Sequence, residues 1–251
     1  TPPGYEAGSA RYPVLYLLHG GSGDEDAWAS CGRAVQILDN LIAQGKATPM
    51  IVVMPNGNTT RIAAPDLVPA PPALPAFRDP GRFPHFPNSV VNDLVPFIDK
   101  TYRTLTDRDH RAIAGLSVGG AQTLYAAFNN LDMFAWVAAF SGGYPVMPGV
   151  AIDVPQPPNA ASLKGPDLTK SLDPAKFAAL LPQLDAGAND RLRLLYISIG
   201  TADTLQETHK VVKQVLQDKG VKYELKEFAG QQHEWPVWRL SLKDLLPRLF
   251  R

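Results

Sequence analysis

The segment Gly115-Leu116-Ser117-Val118-Gly119, extended by Gly120, sets a serine among small residues where an apolar run gives way to a helical pattern. This spacing suits a nucleophile held on a sharp strand-to-helix turn. The backbone there is strained, small neighbours let the chain pass close by, and the hydroxyl projects above a sheet. The serine also meets the positive end of the helix that follows. By composition alone a GxSxG arises in roughly one in ten chains of this length. Its placement between a strand and a helix is therefore what carries the information.

A serine needs a base to take its proton, and the base needs an acid to orient it. The matching chain order is Ser…Asp…His. Asp203 follows the apolar run Leu192–Ile199 through Gly200-Thr201-Ala202, and His233 follows the run Tyr223–Phe228 through Ala229-Gly230-Gln231-Gln232. Both fall beyond strand ends, on the edge that carries Ser117. An oxyanion needs two amide donors. One is the N–H of Val118. The other belongs to the loop after an early strand, where His19-Gly20-Gly21 closes the run Val14–Leu18; Gly21 is the first choice and Gly20 the next. His19 is read as a brace for that loop and not as a base.

Other residues of suitable type fit less well. His85 and His110 precede the serine and His209 sits in a predicted helix, so they read as surface or structural histidines. Asp190 precedes its strand and points to the wrong edge, and Glu234 competes poorly with Asp203 on geometry. Cys31 has only Arg33 nearby and reads as a buried or inert thiol. Trp28 and Trp235 bracket the pocket-forming loops; an aromatic wall for a substrate and ordinary packing are equally open for them, whereas Trp238 reads as helix packing. Asn56 is a candidate for holding a loop.

The elements that must position these residues alternate along the chain. Apolar runs at Val14–Leu18, Met50–Met54, Arg111–Leu116, Phe134–Phe140, Leu192–Ile199 and Tyr223–Phe228 read as strands, mostly buried on both faces. Helical patterns lie between and after them, near Arg33–Gln44, Ser89–Tyr102, Gly119–Asn129, Pro174–Leu184, Gln206–Lys219 and Pro236–Leu246. The fold class that follows is α/β, a mostly parallel central sheet flanked by helices, in one domain over residues 1–251. Asn88 is the expected N-cap of the second helix and Pro96 should kink it. Pro236 suits the first turn of the last helix and Pro247 its end. Two irregular stretches, the proline-rich Asn58–Pro87 and Tyr144–Leu172, each follow a strand. Loops there surround the ligand crevice of open α/β sheets, so both are expected to shape a substrate site.

Composition narrows the function classes. The 251 residues are 45% hydrophobic, enough for one sizeable core. Twenty-four basic and 24 acidic residues cancel, and no basic stripe or like-charge run occurs. No general field draws nucleic acid or an anionic membrane, and neither is an expected partner. No apolar stretch is long enough to span a bilayer. A single cysteine excludes an internal disulfide and a multi-cysteine zinc site. Neither a metal nor a cofactor is expected.

Taken together, several segments resemble the feruloyl and acetylxylan esterases of the first carbohydrate-esterase family, esterase-D-like α/β-hydrolases. Their wider group includes enterochelin esterases, S-formylglutathione hydrolases and mycolyltransferases. The matching segments are residues 12–21 (YPVLYLLHGG), 54–57 (MPNG), 93–98 (DLVPFI), 111–120 (RAIAGLSVGG) and 233–239 (HEWPVWR), and the resemblance extends over nearly the whole chain. The resemblance implies an α/β-hydrolase fold, catalytic roles for Ser117, Asp203 and His233, and a Val118 oxyanion donor. Relatives usually carry methionine where Val118 stands, which a backbone donor tolerates, and the 58–87 loop is long for the family. They also begin with antiparallel strands that are absent here. The chain is therefore expected to be the catalytic part of a longer polypeptide, with an upstream carbohydrate-binding module as a candidate partner. The implied substrate is a plant cell-wall ester, feruloyl or acetyl, and that substrate implies a secreted or periplasmic location. A siderophore or thioester esterase is the alternative, which Arg61, Arg78 and Arg82 keep open. A non-catalytic binding domain comes last, since fold does not fix function.

Overall fold

The computed structural model describes residues 1–21, 23–57, 85–142 and 173–251. In chain order its elements are β1 (Val14–Leu18), α1 (Ala27–Ser30), α2 (Ala34–Ala43), β2 (Ile51–Val53), α3 (His85–Ser89), a π-helical turn (Val90–Leu94), α4 (Val95–Thr101) and a 3-10 turn (Arg108–His110). There follow β3 (Arg111–Leu116), α5 (Val118–Phe128), β4 (Trp136–Phe140), α6 (Pro174–Ala179), α7 (Ala188–Arg191), β5 (Leu194–Gly200), α8 (Gln206–Asp218), β6 (Glu224–Phe228) and α9 (Trp235–Leu245). A 3-10 turn, Leu246–Arg248, closes the chain.

The six strands form one sheet in the order β2-β1-β3-β4-β5-β6. Every neighbouring pair is parallel. This is the architecture expected from the alternation of apolar runs and helical patterns. Strands β1, β3, β4 and β5 are buried at every position. Their side chains alternate between two cores. Tyr16, Ile113, Val137 and Ile197 face the core completed by Leu124 and Phe128 of α5 and by Val212 and Val215 of α8. Leu15, Leu17, Ala114 and Phe140 face the core completed by Leu38 of α2 and Leu242 of α9. Two-sided burial is why these strands read as continuous apolar runs. The last strand differs: β6 lies at the sheet edge, is largely exposed, and carries Glu224, Lys226 and Glu227. Charge on an open edge discourages pairing with another chain.

The second helical stretch departs from expectation. Asn88 does not cap it but lies inside α3, which already includes His85. The kink expected at Pro96 takes the form of the π-helical turn, with the Val95 amide donating to Val90 O. Proline lacks an N–H and its ring presses on the carbonyl one turn back, so a widened turn just before it relieves both problems. Pro236 stands in the first turn of α9, and Pro247 in the closing 3-10 turn. Residues 58–84 and 143–172, which include most of the two irregular stretches and Arg61, Arg78 and Arg82, lie outside the described residues. Among the described residues no helix is long and apolar enough to cross a membrane.

A parallel sheet brings all its carboxyl ends to one edge, and β1, β3, β5 and β6 each deliver a loop there. The turn after β3 is packed more tightly than any side chain would permit. A Cβ on Gly119 would fall inside hard contact with His19 O and 2.8 Å from Leu18 O, both backbone atoms of the neighbouring loop. Gly119→Ala is therefore expected to destabilise the fold by about 3 kcal/mol or more, read as a lowered urea midpoint. Gly8→Ala, where the nearest atom is 3.4 Å away, is the control. An unchanged midpoint for Gly119→Ala would contradict this close packing.

Candidate active site

Ser117 stands between β3 and α5 with φ 52 and ψ −118, a conformation that non-glycine residues rarely adopt. Its amide donates to Phe140 O at 2.9 Å and its carbonyl accepts from the Ala121 amide at 3.1 Å, so the turn is held on both sides. The hydroxyl thereby points to the edge where the other loops converge.

His233 Nε2 lies 3.0 Å from Ser117 Oγ. On the far side of the ring, Nδ1 lies 3.1 Å from each oxygen of Asp203. An ionised carboxylate only accepts, so Nδ1 carries the proton and Nε2 presents its lone pair to the serine. The Asp203 side chain is wholly buried while that of His233 is 25% exposed. Burial by itself pushes the Asp203 carboxyl up. The hydrogen bond and charge of His233, the Leu205 amide at 2.8 Å and Ser141 outweigh it, and the carboxyl titrates below its ordinary value.

The loops bearing the acid and the base are stitched to each other. The Ala202 amide donates to Gln231 O at 3.0 Å, and the Gly230 amide to Thr201 Oγ1 at 2.8 Å. A Cβ on Gly200 would strike Gln231, so this glycine lets the two loops meet. The spacing between Asp203 and His233 is thus fixed by backbone, not by the two side chains alone.

The third loop follows β1. The Gly57 amide donates to His19 Nε2 at 2.8 Å, which leaves Nδ1 to donate to Gly20 O at 2.7 Å. Gly20 O also accepts from the Gly23 amide at 3.1 Å. In a planar trans peptide the next N–H points opposite to that carbonyl. His19 therefore braces the loop and turns the Gly21 amide outward. Val118 is the first residue of α5, where a helix leaves its amides unpaired. Gly20 and Gly21 line the same cavity as Ser117. Asn56 Nδ2 donates to Glu25 Oε2 at 2.7 Å and ties the loop after β2 to the loop after β1.

That cavity encloses about 460 Å³ and is walled by Leu116, Ala27, Trp235 and Trp238, with Asp24 and Cys31 also on its lining. Cys31 is exposed at the cavity and not buried, because it follows the end of the short helix α1 and does not face the core. Of the two readings open for Trp28, substrate wall or packing, the structure shows packing, and Trp28 does not line the cavity. It is 1% exposed, its Nε1 donates to Leu18 O at 2.9 Å, and it backs Trp235 edge-on with ring centres 5.4 Å apart. Trp238, read from sequence as packing, lines the cavity and meets the His233 ring edge-on at 5.0 Å. One turn of helix separates it from Trp235 in the first turn of α9, and that spacing was the available signal. His110 pairs with Asp107 on the surface and His85 is exposed. Among the described residues no group of three or more His, Cys, Asp or Glu side chains could hold a metal ion.

The "Esterase" family model, described as "Putative esterase", matches residues 1–249. The chain belongs to this esterase family. Carboxylic ester hydrolysis is the reaction class that membership carries. The chain is 30% identical over 243 residues to an endo-1,4-beta-xylanase/feruloyl esterase of Xylanibacter ruminicola, covering 96% of this chain and 27% of that protein. It thus spans about a quarter of that relative's length. A solved ferulic acid esterase is 28% identical with a TM-score of 0.73, over 99% of this chain and 89% of the other. A ferulic acid esterase from Anaeromyces mucronatus, solved with ferulic acid, shares the fold with a TM-score of 0.73 at 23% identity, over 99% and 82% of the two chains.

His209 of α8 is also part of this neighbourhood. It is fully buried and neither ring nitrogen is hydrogen-bonded. Burial pushes its pKa down to about 4, against the pull of the Asp203 charge and with help from Lys213 and His233. An unfolded chain binds the proton at about 6.5. Between these values the unfolded state holds more protons, so stability falls as pH drops from about 6.5 to about 4. Asp203 acts in a separate window: its contribution is lost only as pH falls below the ordinary carboxylate range. His209→Leu is expected to recover roughly 2–3 kcal/mol of the stability lost between pH 7 and pH 4. Urea midpoints at the two pH values measure it, and an unchanged pH dependence would contradict the assignment.

Proposed function

We propose that this chain is a serine esterase that works through a covalent acyl-enzyme, with Ser117 as nucleophile, His233 as general base and then acid, and Asp203 as the group that orients His233. The observation that carries the reading is the unbroken path from Asp203 through both His233 nitrogens to Ser117 Oγ, at 3.1 and 3.0 Å. His233 Nε2 accepts the serine proton as Oγ attacks the ester carbonyl. Asp203 stays ionised and stabilises the imidazolium. The Val118 and Gly21 amides receive the charge on the carbonyl oxygen. The alcohol leaves with the proton from His233, and a water activated by the same nitrogen releases the acid.

The substrate we propose is a feruloyl ester on plant cell-wall polysaccharide. The aromatic wall of Trp235 and Trp238 beside Ser117, in a cavity of about 460 Å³, suits a planar aromatic acyl group. The relatives named ferulic acid or feruloyl esterases favour the same substrate. A polymer of this kind would be met outside the cytoplasm.

Ser117→Ala is expected to reduce kcat by about 10⁴-fold or more with the fold intact, and to abolish labelling by a fluorophosphonate probe. Near-normal turnover would remove Ser117 as nucleophile. The substrate is tested by kcat/KM for methyl ferulate against p-nitrophenyl acetate. Preference for ferulate is expected. Hydrolysis of acetate alone would favour deacetylation or another small ester, and hydrolysis of neither would return a siderophore, a thioester or a binding role.

A further inference from the structure

Ser141, the first residue beyond β4, has φ 46, in the left-handed region. A side chain is disfavoured there relative to glycine. The backbone has little choice. The Ser141 amide donates to Ser198 O at 2.7 Å. The next residue, Gly142, packs against Gly120, and a Cβ on it would come within 3.0 Å of Ser117 O. Packing behind the nucleophile turn therefore demands the conformation, and a glycine would supply it at lower cost.

What serine adds is a hydroxyl. Ser141 is fully buried and its Oγ makes no hydrogen bond of normal geometry. A buried hydroxyl without a well-formed hydrogen bond is a second unfavourable feature. Two unfavourable features at one residue beside a reactive centre point to a role. The Ser141 hydroxyl is one of the groups that hold the Asp203 carboxyl below its ordinary value, together with His233 Nδ1 and the Leu205 amide. Among the described residues, His209 of α8 also feels that carboxylate, along with Lys213.

We propose that Ser141 is a positioning residue whose hydroxyl is the third donor to Asp203, closing onto the carboxylate as the Asp203–His233 pair tightens around the developing imidazolium. Such bonds are often loose before substrate binds and shorten in the transition state. The inference rests on the Ser-His-Asp reading above. With the donor present, part of the carboxylate charge is occupied and its orientation toward Nδ1 is fixed. Without it the carboxylate is freer to turn, and a more basic anion holds the His233 proton more strongly.

The test uses Ser141→Ala, Ser141→Gly, Asp203→Asn and the Ser141→Ala/Asp203→Asn double variant, assayed on p-nitrophenyl acetate. Ser141→Ala is expected to lower kcat about tenfold with KM unchanged, and to move the acid limb of the pH profile upward. Ser141→Gly is expected to lose the same activity while its thermal midpoint stays level or rises, because glycine accepts the backbone angle. This variant also carries the test if the alanine protein does not fold. In the Asp203→Asn background, Ser141→Ala is expected to change kcat less than twofold. Full kcat in both Ser141 variants, a loss confined to KM, or an undiminished loss in the Asp203→Asn background would each overturn the proposal. An Asp203→Asn variant with normal kcat would instead overturn the Ser-His-Asp reading itself.

Discussion

The backbone angle at Ser117 is the constraint around which this edge of the molecule is built. A φ of 52 on a residue with a side chain is costly, of order 1–3 kcal/mol, and persists only where the surroundings leave no alternative. Here β3 is buried on both faces and ends where α5 must begin, so the chain has one residue in which to change direction. The surrounding glycines are consequences. Gly119 passes against the backbone of Leu18 and His19, and Gly120 against Gly142. The loop after β1 and the turn after β4 are thereby pressed onto the serine turn, and the first of them lines the cavity beside Ser117.

A second constraint is the burial of a carboxylate. An ion as enclosed as Asp203 needs hydrogen bonds to remain charged. The Leu205 amide and His233 supply them. Burial in the same region has the opposite consequence for His209, which no hydrogen bond compensates and which is held neutral. Two ionisable groups in one neighbourhood therefore take opposite charge states, and the distribution of donors decides which. The result is a single negative charge directed at His233 Nδ1.

The aromatic residues divide by layer. Trp28 is anchored to the end of β1 through Leu18 O, and its ring supports Trp235. Trp235 and Trp238 meet edge-on at 5.2 Å, and Trp238 meets His233 in the same way. Rigid aromatic faces then hold the imidazole on one side and wall the cavity on the other. A single helix, α9, begins two residues after His233 and supplies both rings, so the base and the cavity wall share one support.

The sequence by itself determined the parallel α/β architecture, since two-sided burial writes continuous apolar runs, and glycine, proline and helical spacing mark their ends. It also brought Ser117, Asp203 and His233 to one edge, because parallel strands all end on the same side. It named His19 as a brace and Asn56 as a loop holder from their places directly after β1 and β2. What it could not separate were roles that depend on which way a side chain faces. Trp28 and Trp238 have the same chemistry, yet one is buried scaffold and the other lines the cavity. The burial of His209, the left-handed turn at Ser141 and the π-helical turn before Pro96 were likewise decided only by the tertiary structure. Each arises from packing between segments far apart in the chain, and such contacts leave no local periodicity to read.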